Sequence, residues 1–473
     1  MRIVKIPKML YNVKQWQNTT RTKEVSLMRK KLQRIFLVSL AIMFAFSSLT
    51  VMAATPQDES RFLYCAEELS SLGLFKGTDN GYELDRAPSR TEAAVMLVRL
   101  LGKEEQALAS SATHPFNDVP QWADRYIAYM YSEGLTNGIS DTQFGAAGVC
   151  EAKMYITFVL RALGYDDAAG DFTYNNAISF ARMTSVINSD DYFRISQNEF
   201  LRGDLASISF WALFAELNRD TKLLLEKLID EKAVNVDKAK FYLDVIDAYF
   251  LLDYGYYKNY ENGSIFYKET ENIELSAAGY PAQIYKLLSE IEMTDIYSNS
   301  KEHVKYTFQY PGGEYNTYDI YYSDGYLYYD YGSDGKFKEA VNESITPPVA
   351  DISYTTIFDD YKSVSISQSG GKTYIDSTLS DAYGTQIAEG MLSWFDGFNP
   401  SVDILIVSSA KEQAVINADG YLEKITHVVE FRYMIANDGV QYTVVYESVT
   451  EFSKLGETIT IKFPDFSKFE EIK

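Results

Sequence analysis

Residues 58–217 repeat one pattern three times, each copy running from an apolar helix through a loop to a second helix. The first copy reads Ala66-Glu67-Glu68-Leu69, Leu72-Gly73-Leu74 and Gly77, then Arg90-Thr91-Glu92-Ala93-Ala94-Val95-Met96-Leu97-Val98-Arg99-Leu100-Leu101-Gly102. The second reads Phe116-Asn117-Asp118-Val119-Pro120, Trp122, Gly134-Leu135 and Gly138, and closes on Leu160-Arg161-Ala162-Leu163-Gly164. The third runs from Phe172 through Asn176-Ala177 and Phe180-Ala181 to Phe200-Leu201-Arg202-Gly203-Asp204-Leu205-Ala206. A lone helical hairpin cannot bury its apolar stripe, here Val95, Leu97, Val98 and Leu101 in one copy and Ile156, Val159, Leu160 and Leu163 in another. Three such units therefore have to stack into one all-α bundle.

These residues resemble the S-layer homology module, with Phe116-Asn117-Asp118-Val119-Pro120 and Trp122 as the best marker. The resemblance implies repeats at about 58–108, 112–166 and 170–217. It also implies a three-pronged bundle on the bacterial cell wall, holding a pyruvylated secondary cell-wall polysaccharide in its grooves. The family's Thr-Arg-Ala-Glu motif falls on Ser89-Arg90-Thr91-Glu92 and on Leu201-Arg202-Gly203-Asp204, while repeat two carries Ala152-Lys153-Met154 there and has lost both charges. On this basis the glycan-binding residues expected are Arg90, Glu92, Asp118, Trp122, Gly77, Gly138, Arg202 and Asp204. Arg would fork onto the ketal carboxylate, and the acid in the first helical turn would orient it. The same residues also fit a plain capping pair and a core tryptophan.

The rest of the chain sets the compartment. From Met28 a basic stretch, an apolar run from Ile35 to Leu49 and Val51-Met52-Ala53-Ala54 form a secretory signal, with residues 1–27 as an upstream extension. Such a signal implies export, and the resemblance implies that the secreted protein stays on a Gram-positive cell wall or S-layer, retained by its repeats. A net charge of −22 argues against nucleic acid and against anionic lipid surfaces. Cys65 and Cys150 either form one bridge or remain two buried thiols.

After a helical connector at 218–248, residues 249–473 read as an α+β domain with an antiparallel sheet. Period-two patterning starts at Val304, with turns at Asp324-Gly325, Asp334-Gly335, Gly370-Gly371, Asp419-Gly420 and Asp438-Gly439. Helices are expected near Ala282–Glu292 and Leu379–Phe395. The runs Tyr318–Tyr329, Ile416–Ile425 and Thr458–Pro464 resemble the LolA/LppX-type lipoprotein fold, a half-barrel sheet covered by helices. That resemblance implies an apolar cavity for an amphiphile, lined by Trp394, Phe395 and Phe398 unless these form solid core. The tyrosines offer a second reading, a glycan-binding face, with aromatics falling on both sides of the sheet. His114, His303 and His427 stand far apart in sequence and match no metal or catalytic spacing. The expectation is therefore a non-catalytic protein without metal or cofactor; a paired-carboxylate glycosidase is the remaining enzymatic reading.

Overall fold

The computed structural model describes residues 56–296, 300–313, 315–340, 358–394, 402–435 and 440–471. The signal segment, Asp438-Gly439, Phe395 and Phe398 lie outside the described residues, as does the Trp394 side chain. The chain divides into two compact units at Lys240/Phe241.

The first unit is helical. Its elements are α1 (Pro56–Ser71), α2 (Arg90–Leu100), α3 (Glu104–Ala109), α4 (Asp124–Ser132) and α5 (Ala152–Ala162). They are followed by α6 (Ala177–Met183), α7 (Ser189–Gln197), α8 (Arg202–Ala212) and α9 (Leu224–Asp230). Helices α2, α5 and α8 begin at the three aligned motif positions and each run 11 residues. Their central positions are buried, including Leu97, Tyr155, Ile156, Leu205 and Phe210. Helix α8 packs so tightly on α1 that a Cβ on Gly203 would lie 2.1 Å from the Phe62 ring. Both cysteines are free and buried, their thiols pushed up to about 12 by that burial.

Helix α10 (Val236–Tyr260) runs across the division without a break, well past the connector expected to end at 248. The second unit is a 12-stranded sheet: β1 (Ile265–Ala277), β2 (Tyr280–Thr294), β3 (Lys301–Gln309), β4 (Tyr315–Ser323), β5 (Tyr326–Asp330), β6 (Lys336–Ala340), β7 (Tyr361–Ser369), β8 (Lys372–Leu379), β9 (Val402–Ile416), β10 (Leu422–Ile435), β11 (Gln441–Ser453) and β12 (Glu470–Glu471). Helix α11 (Asp381–Trp394) interrupts the strands between β8 and β9. The order is β12-β6-β5-β4-β3-β2-β1-β11-β10-β9-β8-β7, antiparallel except for the parallel β6–β12 pair.

The helix expected near Ala282–Glu292 is instead strand β2. Leu287 and Leu288 followed by Ile291 mimic helical spacing, but Leu287, Ser289, Ile291 and Met293 are the buried set, a period of two. Strands also begin at Ile265, well before Val304, because β1 alternates threonine and glutamate with its apolar residues and hides its period.

One face of the sheet packs under the helices. Ala388 and Met391 of α11 join Ala410, Val429, Phe431, Val444 and Ile273 in one apolar cluster. At Gly384 the helix comes within 2.8 Å of Ala410 Cβ, measured from where a Cβ would sit. Helix α10 meets the same face through Tyr256 on Phe452 and through Asn259, whose Nδ2 donates to the Leu422 carbonyl at 2.9 Å. On the opposite face the C-terminal segment covers the strands: Phe466 stacks on Tyr328 with centroids 3.7 Å apart, and Phe469 meets the same ring edge-on.

Candidate functional site

Helix α2 starts with a reciprocal cap. Ser89 Oγ accepts the Glu92 N–H at 3.2 Å, and Glu92 Oε2 accepts the Ser89 N–H at 2.8 Å. The same carboxylate receives Arg86 through Nη2 at 2.6 Å and Nη1 at 3.1 Å, and Arg202 Nη1 at 3.2 Å. Arg202 also donates from Nε to the Tyr82 carbonyl at 3.1 Å. Burial would raise the Glu92 carboxyl, but the bonds from Arg86 and Ser89 outweigh it and hold it at about 2. The structure thus brings Glu92 and Arg202, expected in separate repeats and 110 positions apart, into one ion pair, joined by Arg86, which the sequence reading did not single out. Its signal was available, a cation six residues before an acid in the first turn of a capped helix.

Arg90 is in a different environment. It is 7% exposed, with its guanidinium 4.8 Å above the Phe144 ring and 5.2 Å from that of Phe158. Its Nε has no hydrogen-bond partner, and no carboxylate pairs with it among the described residues. Burial works against the charge and lowers its pKa. Open side chains surround it: Ile139 and Tyr174 are well exposed, and Lys153 Nζ lies 5.7 Å from the Tyr174 ring centroid. Gly145, at φ +82°, lies between Ile139 and Arg90: a Cβ there would crowd Ile139 at 3.1 Å and meet Arg90 Cδ at an ordinary 3.5 Å, and the positive φ favours glycine.

Asp118 shapes that loop. Its carboxylate accepts the N–H groups of Phe144, Gly145 and Ala146 at 2.7, 2.7 and 3.0 Å, which depresses its pKa despite desolvation. Gly138 sits at φ +74°, where a Cβ would fall 2.4 Å from Phe116 Cε1. Gly77 closes against the Gly81 carbonyl in the corresponding turn of the first copy. Trp122 is 59% exposed at the turn before α4. Asp204 is fully buried, accepting Arg194 Nη2 at 3.0 Å and the Leu201 N–H at 2.8 Å.

The first amides of α2 and α8 are already used, since Arg90 N–H donates to Gly148 O and Arg202 N–H to Arg86 O, both at 2.8 Å. The arrangement at Arg90 offers one unmatched cation, two aromatic walls and a flanking lysine. That is chemistry for a carboxylate on a ring-shaped body.

Comparison with known proteins finds likenesses in this region. Residues 115–148 match the family model of the S-layer homology domain. A cell surface protein of Thermoanaerobacter kivui is 27% identical over 216 residues, 43% of this chain and 26% of that protein. The middle cell wall protein of Brevibacillus brevis is 27% identical over 154 residues, 32% of this chain and 14% of that protein. The chain thus spans about a quarter or less of the length of these relatives. Among solved structures, a LolA superfamily protein from Nitrosomonas europaea aligns with 46% of this chain and 94% of its own, at 13% identity and a TM-score of 0.14.

Proposed function

From the premise that the chain carries an S-layer homology domain, we propose that it is a secreted cell-surface protein held on the wall by its helical unit, non-covalently, through a pyruvylated secondary cell-wall polysaccharide. The observation that carries this reading is Arg90, a buried guanidinium walled by Phe144 and Phe158 and matched by no carboxylate among the described residues. A ketal carboxylate supplies the missing countercharge, and the sugar ring meets Tyr174, Ile139 and Lys153 at the rim. The equal lengths and aligned starts of α2, α5 and α8 support three repeats in one bundle at 58–217. Arg202 and Asp204 serve this site differently from Arg90: both are engaged inside the protein, so they set the frame in which a groove forms.

The second unit is a displayed, non-catalytic domain. A cargo that is purely apolar is disfavoured, because Glu271, Glu412, His427 and Ser448 lie on the helix-covered face of its sheet. A glycan-stacking role for the outward tyrosines is likewise disfavoured where Phe466 and Phe469 cover Tyr328.

The test is co-sedimentation of the purified chain with wall sacculi, before and after removal of the wall polysaccharide. Binding is expected to native sacculi and to be lost on stripping. Equal binding to stripped sacculi would overturn the proposal.

A further inference from the structure

Register sorts charge by face in the second unit. Among the paired positions of β1–β6 and β8–β11, every lysine and arginine, from Lys268 on β1 to Arg432 on β10, falls on the face away from α10 and α11. The helix-facing side carries Glu269, Glu271, Glu302 and Glu412, with the imidazole of His427 and no lysine or arginine at those positions. Ser377, Glu412, His427, Ser448 and Glu271 are successive register partners across β8, β9, β10, β11 and β1. At about 4.8 Å per strand, Glu412 and Glu271 lie roughly 14 Å apart along that row.

The β8 end of the row is unsatisfied. Glu412 is 9% exposed and Ser377 5%. Glu412 Oε2 lies 2.9 Å from His427 Nε2, but Oε1 and the Ser377 hydroxyl find no hydrogen-bond partner among the described residues. Buried polar atoms are almost always paired, so two orphans facing each other across one strand pair mark a place for a donor. Tyrosines from three elements gather there: Tyr256 of α10, Tyr361 of β7 and Tyr383 of α11 all lie within electrostatic reach of Glu412, as does Asp360. These three rings are only part-buried. A carboxylate among several phenol rings is the setting in which proteins hold an ammonium group, by ion pairing and by cation–π attraction together. Farther along, Tyr446 donates to Glu271 Oε2 at 3.1 Å and Ser448 to Glu269 Oε1 at 3.0 Å, while Glu302 faces the same side from β3.

We propose that this face binds a linear aliphatic polyamine, with one ammonium at Glu412 among Tyr256, Tyr361 and Tyr383, and further ammonium groups met by Glu271, Glu269 and Glu302. Charge complementarity selects this occupant. An anion or a neutral lipid would leave Glu412 Oε1 without a donor, and no group of three metal-ligating side chains stands together among the described residues. The methylene segments between ammonium groups suit the apolar residues on either side of the row, Val429 and Ile273 above it and Ile425 below. The inference is independent of wall binding, which belongs to the other unit.

Spermine titrated calorimetrically into the full chain at physiological ionic strength is the test. One saturable site is expected, weakened about tenfold or more by Glu412→Gln and also weakened by Glu271→Gln. Glu274→Gln, on the opposite face of β1, is expected to leave it unchanged. Because the chain carries a net charge of −22, diffuse attraction would respond alike to all three variants, and that outcome overturns the proposal. So does a titration without saturable heat, which would leave water as the partner of Glu412. If Glu412→Gln lowers the melting temperature, Tyr383→Leu reads the cage instead, and unchanged affinity in that variant also overturns the proposal.

Discussion

Replacing Arg90 by methionine separates binding from folding. The substitution keeps an unbranched apolar stem out to about the Nε position and removes the guanidinium from over Phe144 and Phe158. No protein carboxylate loses a partner, since none pairs with Arg90 among the described residues. The fold forfeits a cation–π term of about 0.5–2 kcal/mol and is relieved of a buried charge whose desolvation opposes it. The two nearly cancel, so the melting temperature should hardly move. Binding should suffer more, because losing a hydrogen bond to a charged ligand group costs about 1.5–3 kcal/mol, or roughly 10- to 150-fold in Kd. Arg202→Met should behave in the opposite way. It strips a bond from Glu92 and one from the Tyr82 carbonyl at a nearly buried position, which costs roughly 1–3 kcal/mol of stability. The assay is wall co-sedimentation of both variants beside circular-dichroism melts. Unchanged wall affinity in Arg90→Met would refute the reasoning, as would an equal loss of affinity in a fully stable Arg202→Met.

Three further outcomes follow from the packing and the charges. Gly203→Ala should destabilise the helical unit by roughly 1–3 kcal/mol in denaturant melts, since its Cβ would stand 2.1 Å from Phe62. Phe466→Ala should uncover Tyr328 on the sheet's outer face, seen as faster modification of that phenol and, since Phe466 is half-buried, a loss of about 1–2 kcal/mol, less than a core phenylalanine costs. For pH, burial pushes Glu271 and Glu302 up to about 7, so the folded chain keeps protons that the unfolded chain gives up near 4.5. Their folded-state cost therefore grows as pH rises from about 4.5 to 7, and the second unit should melt higher at pH 5 than at pH 8. Glu92 has the reverse sign. Held at about 2, it contributes stability above its ordinary pKa that is lost as pH falls from 4.5 toward 2, and Glu104 behaves the same way.

How much of this could be read from the residues depends on whether the deciding contact is local in sequence. The cap at Ser89 and Glu92 is three residues wide and was legible, as were the starts of α2 and α8; Asp118 was expected to meet glycan, and its hold on the amides of Phe144, Gly145 and Ala146, 26 to 28 residues away, was not read. Arg90 and Arg202 look alike in a motif, yet Phe144 and Phe158 wall one and Glu92 pairs the other, and those partners lie tens of residues away. In the second unit the turns at Asp324-Gly325, Gly370-Gly371 and Asp419-Gly420 announced hairpins that the structure contains. Strand β2 was misread because a three-residue apolar coincidence carries less information than the register that buries alternate positions. His427, Glu412 and Ser448 were the least legible of all: only antiparallel pairing puts them side by side, and no spacing in the chain encodes it.

The central claim is that a wall polysaccharide's ketal carboxylate completes the site at Arg90. Its most direct measurement is a calorimetric titration of the full chain with purified pyruvylated wall polysaccharide, alongside the same polysaccharide with its pyruvyl groups removed. The account predicts saturable binding to the first and a loss of roughly tenfold or more in affinity for the second. Equal affinity for both, or binding to neither, would contradict it.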